Sequence, residues 1–296
     1  PGCLDSVIPE LAAGDELILV DNASTDGGAQ LVQSRWPGVR LIRNAANLGF
    51  AAACNQAAGQ AAGEILVFLN QDTRVQPGWL DGLLAPLAQD PSVGLTTSKL
   101  LFMSRPEQIQ MCGQAVHFTG FVFGRGFLQS SRQMDLPAVV AAVAGASFAI
   151  RRSLWQQLGG FDAGLFMYYE ETDLCWRARL AGFSCVYSPA SVAYHDFSLT
   201  PSLSTLYYTE RNRLVMVLKT WQGLTLLLLL PSLLLAGVVD WGYMLLLGRR
   251  GLLARLRACG WSLAHLPQVW RLRRQVQRMR TQPDWVLLQS CAERLS

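Results

Sequence analysis

Glu16-Leu17-Ile18-Leu19-Val20-Asp21-Asn22 is a short apolar run that stops on an acid and an amide. A run of this length, rich in Ile, Leu and Val, reads as a buried strand. The pattern returns at Glu64-Ile65-Leu66-Val67-Phe68-Leu69, which stops on Asn70-Gln71-Asp72. Between the two, Ser24-Thr25-Asp26 can cap a helix reaching about Trp36. Val39–Arg43 reads as a further strand, and Leu48 to Ala62 is Ala-rich and helical. Pro77 begins another helix, to about Gln89. Strands that alternate with helices predict parallel pairing through right-handed crossovers. In such an α/β sheet, ligands collect at the carboxyl ends of strands, where Asp21 and Asp72 stand.

Past residue 92 the alternation loosens. Val93–Leu101, Gln114–Phe118, Phe121–Leu128 and Val139–Ile150 read as strands. Leu165–Ala181 reads as largely helical, Ser184–Tyr187 and Val192–Tyr194 as short strands, and Leu203–Thr220 as a helix. Leu224–Leu247 is a different medium, with Asp240 its only charge. At ~1.5 Å per residue a helix of this length can reach across a bilayer core. The alternative is a buried core helix. Pro231 is expected to break the segment early, which predicts a re-entrant or in-plane arrangement rather than a span.

Composition narrows the class. The chain is 51% hydrophobic and 16% charged, lean against a usual ~25% charged, which argues against disorder. Residues 1–240 hold 15 basic and 19 acidic side chains, a balance of −4, while residues 241–296 hold 10 Arg and 2 acids, a balance of +8. Such a tail seeks anionic surfaces, lipid headgroups or nucleic acid. Leu and Trp interleave its Arg residues as in an interfacial helix, which favours anionic lipid over nucleic acid. The Cys residues number seven, with no zinc-ligand spacing, and read as small buried hydrophobes in a reducing compartment. Neither a phosphate-binding G-x-x-x-x-G-K-[ST] loop nor a G-x-G-x-x-G turn after a strand is present. The chain opens at Pro1 rather than Met, in what reads as the middle of an element, so a missing N-terminus is expected.

The densest chemistry lies at Tyr168-Tyr169-Glu170-Glu171-Thr172-Asp173-Leu174-Cys175-Trp176-Arg177. Three carboxylates within four positions repel one another, and burial raises at least one pKa. Such a cluster suits a general base or a metal site. The plainer alternative is a solvated first helical turn, which favours acids through the helix dipole. Asp173 and Arg177 stand four apart, as an ion pair on one helix face does.

Leu19-Val-Asp21-Asn-Ala-Ser-Thr-Asp26, Asn47-Leu-Gly-Phe50, Leu69-Asn-Gln-Asp72-Thr73 and Tyr169-Glu-Glu-Thr-Asp-Leu174, in that order and spacing, resemble family 2 glycosyltransferases, most closely the rhamnosyltransferase-like members. The resemblance covers roughly residues 1–220 and extends to Arg211-Asn212. It implies a GT-A fold, a Rossmann-like mixed sheet flanked by helices, over residues 1–220. Residues 221–296 then form a membrane-associated helical region. It also implies a nucleotide-sugar donor, a divalent metal (Mg2+ or Mn2+), and inverting transfer, rhamnose-like, to a hydroxyl of a glycan or lipid-linked glycan acceptor. That chemistry serves polysaccharide, O-antigen or cell-wall glycan assembly at the cytoplasmic face of the inner membrane.

Carried over by residue, Asp21 and Asn22 would meet the nucleobase, and Asn47, Leu48 and Gly49 would shape its pocket. Asn70 and Asp72 fall on the DxD-type metal motif, with an amide in place of one carboxylate. His195 would lie near the metal or diphosphate, and Arg211 near phosphate or acceptor. Glu171 falls on the base, with Asp173 second and Glu170 orienting the loop. Gly145-Ala146-Ser147 resembles the family's acceptor-side segment. The Q-x-x-R-W segment of processive synthases is absent, which implies one sugar per encounter. Against the enzyme reading stands a catalytically inert relative acting as a membrane-bound assembly partner.

Overall fold

The computed structural model describes residues 1–197 and 202–291. In chain order the elements are α1 (Gly2–Val7), β1 (Ile18–Asp21), α2 (Gly28–Arg35), β2 (Arg40–Arg43), α3 (Phe50–Ala58), β3 (Ile65–Leu69), β4 (Thr73–Val75) and α4 (Trp79–Gln89). There follow β5 (Val93–Phe102), β6 (Ile109–Met111), β7 (Gln114–Val116), β8 (Val122–Gly124), β9 (Ala138–Val139), β10 (Ser147–Arg151), α5 (Arg152–Leu158), α6 (Glu170–Leu180) and β11 (Ser184–His195). The chain ends in helices: α7 (Leu203–Thr220), α8 (Gly223–Leu246), α9 (Arg249–Ala264), α10 (Leu266–Met279) and α11 (Trp285–Cys291).

β5 is the spine. All ten of its residues are buried, as expected of a strand covered on both faces. Among the described residues it lies in the order β3-β10-β5-β11-β4, with β6 added to β5 and β9 to β11. β11 runs parallel to β5, whereas β10 is antiparallel to both β3 and β5. The sheet is therefore mixed, and wholly parallel pairing is corrected for β3. β1 and β2 do pair in parallel, as a separate two-stranded ladder. Phe68 of β3 stacks on Phe148 of β10 at 4.7 Å and on Trp155 of α5 at 4.8 Å, which welds sheet to helix.

Several elements depart from the sequence reading. The expected strand at Val139–Ile150 divides into β9, a buried irregular passage, and β10. Ala144, Gly145 and Ala146 carry this passage into β10, with the Ala144 amide donating to the Thr97 hydroxyl of β5. The two short strands after Ser184 are one strand, irregular between Ser188 and Val192. α1, β4, β6 and α5 carry too few residues to show a period.

Pro231 does not break α8. The helix runs unbroken from Gly223 to Leu246 with the proline inside it. One missing N–H is tolerated there because the rest of the turn stays hydrogen-bonded. Both ends of α8 are tied to the same body. At its start, Asp284 accepts from the Gln222 amide. Beside it, Arg273 donates to the Leu218 and Trp221 carbonyls, and Gln277 to those of Lys219 and Thr220. These side chains of α10 thus satisfy the carbonyls that the end of α7 leaves open. Near the other end, Arg255 of α9 joins Glu210 of α7 to Asp240 of α8. One face of α8 (Leu226, Leu229, Leu233) packs on the main core, while Leu224, Leu228, Leu235, Val239 and Leu246 are exposed.

α6 is a core helix, so the solvated alternative for its acids is excluded. Asp173 makes the expected pair with Arg177 at 2.8 Å and a second with Lys219 of α7 at 3.0 Å. Lys219 also reaches Asp162 at 2.5 Å and is itself only 1% exposed. Removing one partner of a buried charge network leaves the others uncompensated, at about 3–5 kcal/mol. Lys219→Ala is expected to lose stability on that scale in urea denaturation. A midpoint equal to that of the unsubstituted protein would contradict this role.

Candidate functional site

Strand register brings the site together. His195, the last residue of β11, stands opposite Thr73 of β4. Asp72 is thereby drawn beside it, and the Asp196 amide donates to the Asp72 carbonyl. On the other flank Ser147 stands opposite Leu69, and the Asn70 amide donates to the Ala146 carbonyl. The small-residue passage 144–146 therefore lies against residues 70–72.

The Asp21 end forms one wall. Its Oδ1 accepts from the Ser24 amide at 2.8 Å, and Arg43 Nε lies 3.6 Å from Oδ2. The Ser24 hydrogen bonds, then the Arg43 charge, hold this carboxyl below the usual carboxylate range. Asn22 knits the facing loop. Its Nδ2 donates to Asn47 Oδ1 and the Gly49 carbonyl, and its Oδ1 accepts from Asn44 Nδ2 and the Leu48 amide. Gly49 has φ +86°, and a Cβ there would sit 2.5 Å from the Phe166 ring. Only glycine lets this loop close on Phe166.

Asp72 and His195, taken from the sequence as candidate metal ligands, do meet. His195 Nε2 lies 3.3 Å from Asp72 Oδ1, and Nδ1 lies 3.0 Å from Gln110 Oε1. With that amide oxygen toward the ring, Nδ1 donates, which leaves Nε2 to face the carboxylate. Two acceptors so placed need a proton or a cation between them. Burial works to raise the Asp72 pKa, but the hydrogen bond and charge from His195 outweigh it and hold the carboxyl low. An ionised carboxylate suits Mg2+ or Mn2+, and the imidazole beside it favours Mn2+, the softer of the two. Among the described residues no three His, Cys, Asp or Glu side chains gather at one point. An ion held here would draw its other ligands from phosphate and water. Asn70 contributes a buried Oδ1 that has no partner, an acceptor left open beside this pair.

The three acids of α6 separate into distinct environments. Asp173 is fully buried within its Arg177–Lys219 clamp. Glu170 is buried with Oε2 unpartnered, and burial followed by the Glu171 charge pushes its pKa well up. Glu171 is half-buried. Its Oε1 accepts from Gln114 Nε2 at 2.7 Å, and Gln114 in turn accepts from the Thr172 hydroxyl. Burial raises the Glu171 pKa too, opposed by backbone N–H groups and Gln114. A Cβ on Gly145 would lie 3.2 Å from Glu171 Cδ, so glycine lets this carboxylate approach the backbone closely.

The approach to α6 is strained. Phe166, Tyr168 and Tyr169 have φ of +66°, +65° and +71°, a region bulky residues seldom adopt. Asn212 holds the turn by donating from Nδ2 to the carbonyls of Leu165, Met167 and Tyr168. Arg211 is buried, with Nε on Asn212 and Nη2 on the Gly164 and Leu165 carbonyls. Its placement is under this turn. Gln110, Gln114, Asn44 and Phe166 were not singled out by sequence, since isolated amides and one aromatic carry no spacing signal.

Residues 1–159 match the family model described as Glycosyl transferase family 2. The chain belongs to this family. Among curated proteins it is 32% identical over 206 residues to N-acetylglucosaminyl-diphospho-decaprenol L-rhamnosyltransferase of Mycobacterium tuberculosis, covering 60% of this chain and 66% of that enzyme. It is 32% identical over 195 residues to O-antigen biosynthesis protein RfbC of Myxococcus xanthus, covering 62% of this chain and 15% of that protein. The chain thus spans just under two-thirds of the length of the first and a small part of the second.

Among solved structures, GalNAc-T7 with UDP, GalNAc and Mn2+ superposes with a TM-score of 0.60 at 21% identity, covering 75% of this chain and 45% of that one. The mannosyltransferase PcManGT of Pyrobaculum calidifontis, with GDP-Man and Mn2+, gives 0.52 at 18% identity over 97% of this chain and 80% of that one. The fold is GT-A, as the resemblance implied.

Proposed function

We propose that this family member is an inverting, non-processive glycosyltransferase using a nucleotide-sugar donor, with a rhamnose-like sugar favoured. The observation that supports the reading is a chain of contacts: the Asn22-pinned loop closes on Phe166 before α6, Asn70 bonds to Ala146, and Gly145 lies against Glu171. On this reading Asp21 and Asn22 serve the nucleotide, Asp72 and His195 the diphosphate, and Glu171 the acceptor. Residues 1–220 carry this chemistry.

Glu171 is the base. Its raised pKa strengthens it as a proton acceptor, and its carboxylate lies against Gly145, in the segment that resembles the family's acceptor side. Glu171 takes the acceptor proton as that oxygen bonds to the anomeric carbon. The bond from that carbon to the phosphate oxygen breaks, and the nucleoside diphosphate leaves with the electron pair. One displacement inverts the centre. Asp173 cannot share this task, since both its oxygens are committed to buried cations. Asp72 and His195 are the residues to hold Mg2+ or Mn2+, which when bound supplies positive charge to the leaving diphosphate. The test is release of nucleoside diphosphate by the full-length protein from a panel of nucleotide-sugars. Acceptor-stimulated release supports transfer. Silence across the whole panel favours the inert relative.

Residues 221–296 provide the membrane contact. α8 is long and apolar enough to cross a bilayer by length and composition. Nevertheless α9–α11 return to pack on α6 and α7, which a span would forbid by placing them on the opposite side. We infer an in-plane α8 with its exposed leucines in lipid, at the cytoplasmic face where nucleotide-sugars are found. The test is labelling in sealed vesicles, in a background without native Cys. Ser153→Cys and Gln289→Cys, both at exposed positions, should react from the cytoplasmic side alone. Labelling of position 289 from the other side would establish a span.

A further inference from the structure

An aromatic cleft opens between the start of α7 and the middle of α9. It is open to solvent, has a volume of about 730 Å³ and is lined by Leu203, Tyr207, Tyr208, Arg257, Gly260 and Trp261, with one further serine. None of these residues belongs to the groups assigned above to donor, metal or base.

The cleft is built rather than incidental. Beneath it lies Arg211, whose guanidinium carbon sits 5.5, 4.8 and 4.5 Å from the ring centres of Tyr207, Tyr208 and Trp261. Its Nε and Nη2 are fixed on Asn212 and two carbonyls, so the three rings rest on a fixed cation. A preformed aromatic wall binds an apolar stem without first paying to order itself.

Position gives the cleft its direction. On one side Tyr208 stacks on Phe166 at 5.1 Å, and Thr205 meets the Tyr168 hydroxyl at 3.2 Å. These are the strained residues that lead into Glu170 and Glu171. On the other side Leu203 and Tyr207 pack with Leu206, Ala254 and Met244, next to the exposed Leu245 and Leu246 that end α8. The cleft therefore joins the leucine face of α8 to the acid-bearing turn.

Charge supplies the second specification. Arg257 is exposed and has no hydrogen-bond or ion-pair partner among the described residues. Arg250, Arg257 and Trp261 fall at i, i+7 and i+11 on α9, so they share one helix face. An open guanidinium beside an aromatic trough fits a phosphate attached to an alkyl or isoprenyl chain.

We propose that this cleft binds the lipid-phosphate portion of a lipid-linked acceptor, with its stem against Tyr207, Tyr208 and Trp261 and its phosphate on Arg257. This rests on the transferase reading above and adds where the acceptor's lipid end is held. Gly260 would then be small in order to leave the trough open. A Cβ at this helical position meets nothing within 4 Å, so a larger residue fills space without disturbing the fold, and leucine also favours helix over glycine.

The test is calorimetric titration of the full-length protein in non-ionic detergent with farnesyl diphosphate, farnesol and inorganic diphosphate. Farnesyl diphosphate should bind, and Gly260→Leu should weaken it by about tenfold or more. Arg257→Gln should weaken farnesyl diphosphate by about tenfold and leave farnesol unaffected. Equal affinity in Gly260→Leu and the unsubstituted protein would overturn the proposal. So would displacement of farnesyl diphosphate by a nucleoside diphosphate, which would place it in the donor site. Equally effective competition by phosphatidylglycerol vesicles would assign the cleft to bulk membrane lipid and overturn it too. The readout is binding, so it is separable from the transferase reading. Farnesyl diphosphate binding lost in Gly260→Leu supports the cleft even if no nucleotide-sugar is turned over. Turnover without such binding refutes the cleft alone.

Discussion

Glu171→Gln is expected to lower turnover by at least about 10²-fold, the lower end for loss of a general base, with donor affinity little changed. The amide keeps the shape and the hydrogen-bonding partner Gln114, and removes only the basicity. The same account fixes a pH dependence. A base must be ionised to act, and burial raises the pKa of Glu171 above the ordinary carboxylate range. The rate constant kcat/KM should therefore rise with pH through that raised value. The sign for stability is opposite. A carboxyl whose folded pKa is raised holds its proton more tightly in the fold, so its contribution falls as pH climbs through the same window. Steady-state profiles of the two proteins check the first statement. Near-normal turnover in Glu171→Gln, with collapse in Asp173→Asn, would mean that the wrong carboxylate was chosen.

Asp72→Ala should reduce donor affinity in the presence of Mn2+ to its metal-free level. Asn70-Gln71-Asp72 has no second carboxylate to take over, and His195 would remain as a single protein ligand. Loss of a group that merely orients a ligand typically costs 10–100-fold in metal affinity, so removal of the carboxylate itself should weaken metal-dependent donor binding by at least about tenfold. Titration of a nucleoside diphosphate with and without Mn2+ measures this. Unchanged binding in Asp72→Ala, or binding insensitive to chelator, would remove the metal from the account.

The two strands that end in acids were legible because their apolar runs are short, unbroken and capped by polar residues. The order of the four motifs made the family legible as well. What lay outside reach was pairing. Nothing in Ser147–Arg151 announces that it inserts antiparallel between β3 and β5, because periodicity reports which face is buried and not which neighbour is chosen. The acids of α6 were visible as a group but not as individuals. Their roles divide according to residues distant in sequence, Lys219 against Asp173 and Gln114 against Glu171. α8 shows a rule overridden by context. Pro231 is a helix breaker by propensity, yet flanking turns and packing by Leu226, Leu229 and Leu233 carry the helix through it. Arg273, one of the tail Arg residues that the sequence assigned to an anionic lipid surface, instead closes the end of α7 together with Gln277.

The central claim is a single displacement at the anomeric carbon with Glu171 as base. Proton NMR of the running reaction, with the full-length protein and a donor identified from the nucleotide-sugar panel, tests it most directly. The account predicts a product whose anomeric configuration is opposite to that of the donor, formed in step with nucleoside diphosphate and nearly absent with Glu171→Gln. A first-formed product that retains the donor's configuration would contradict it.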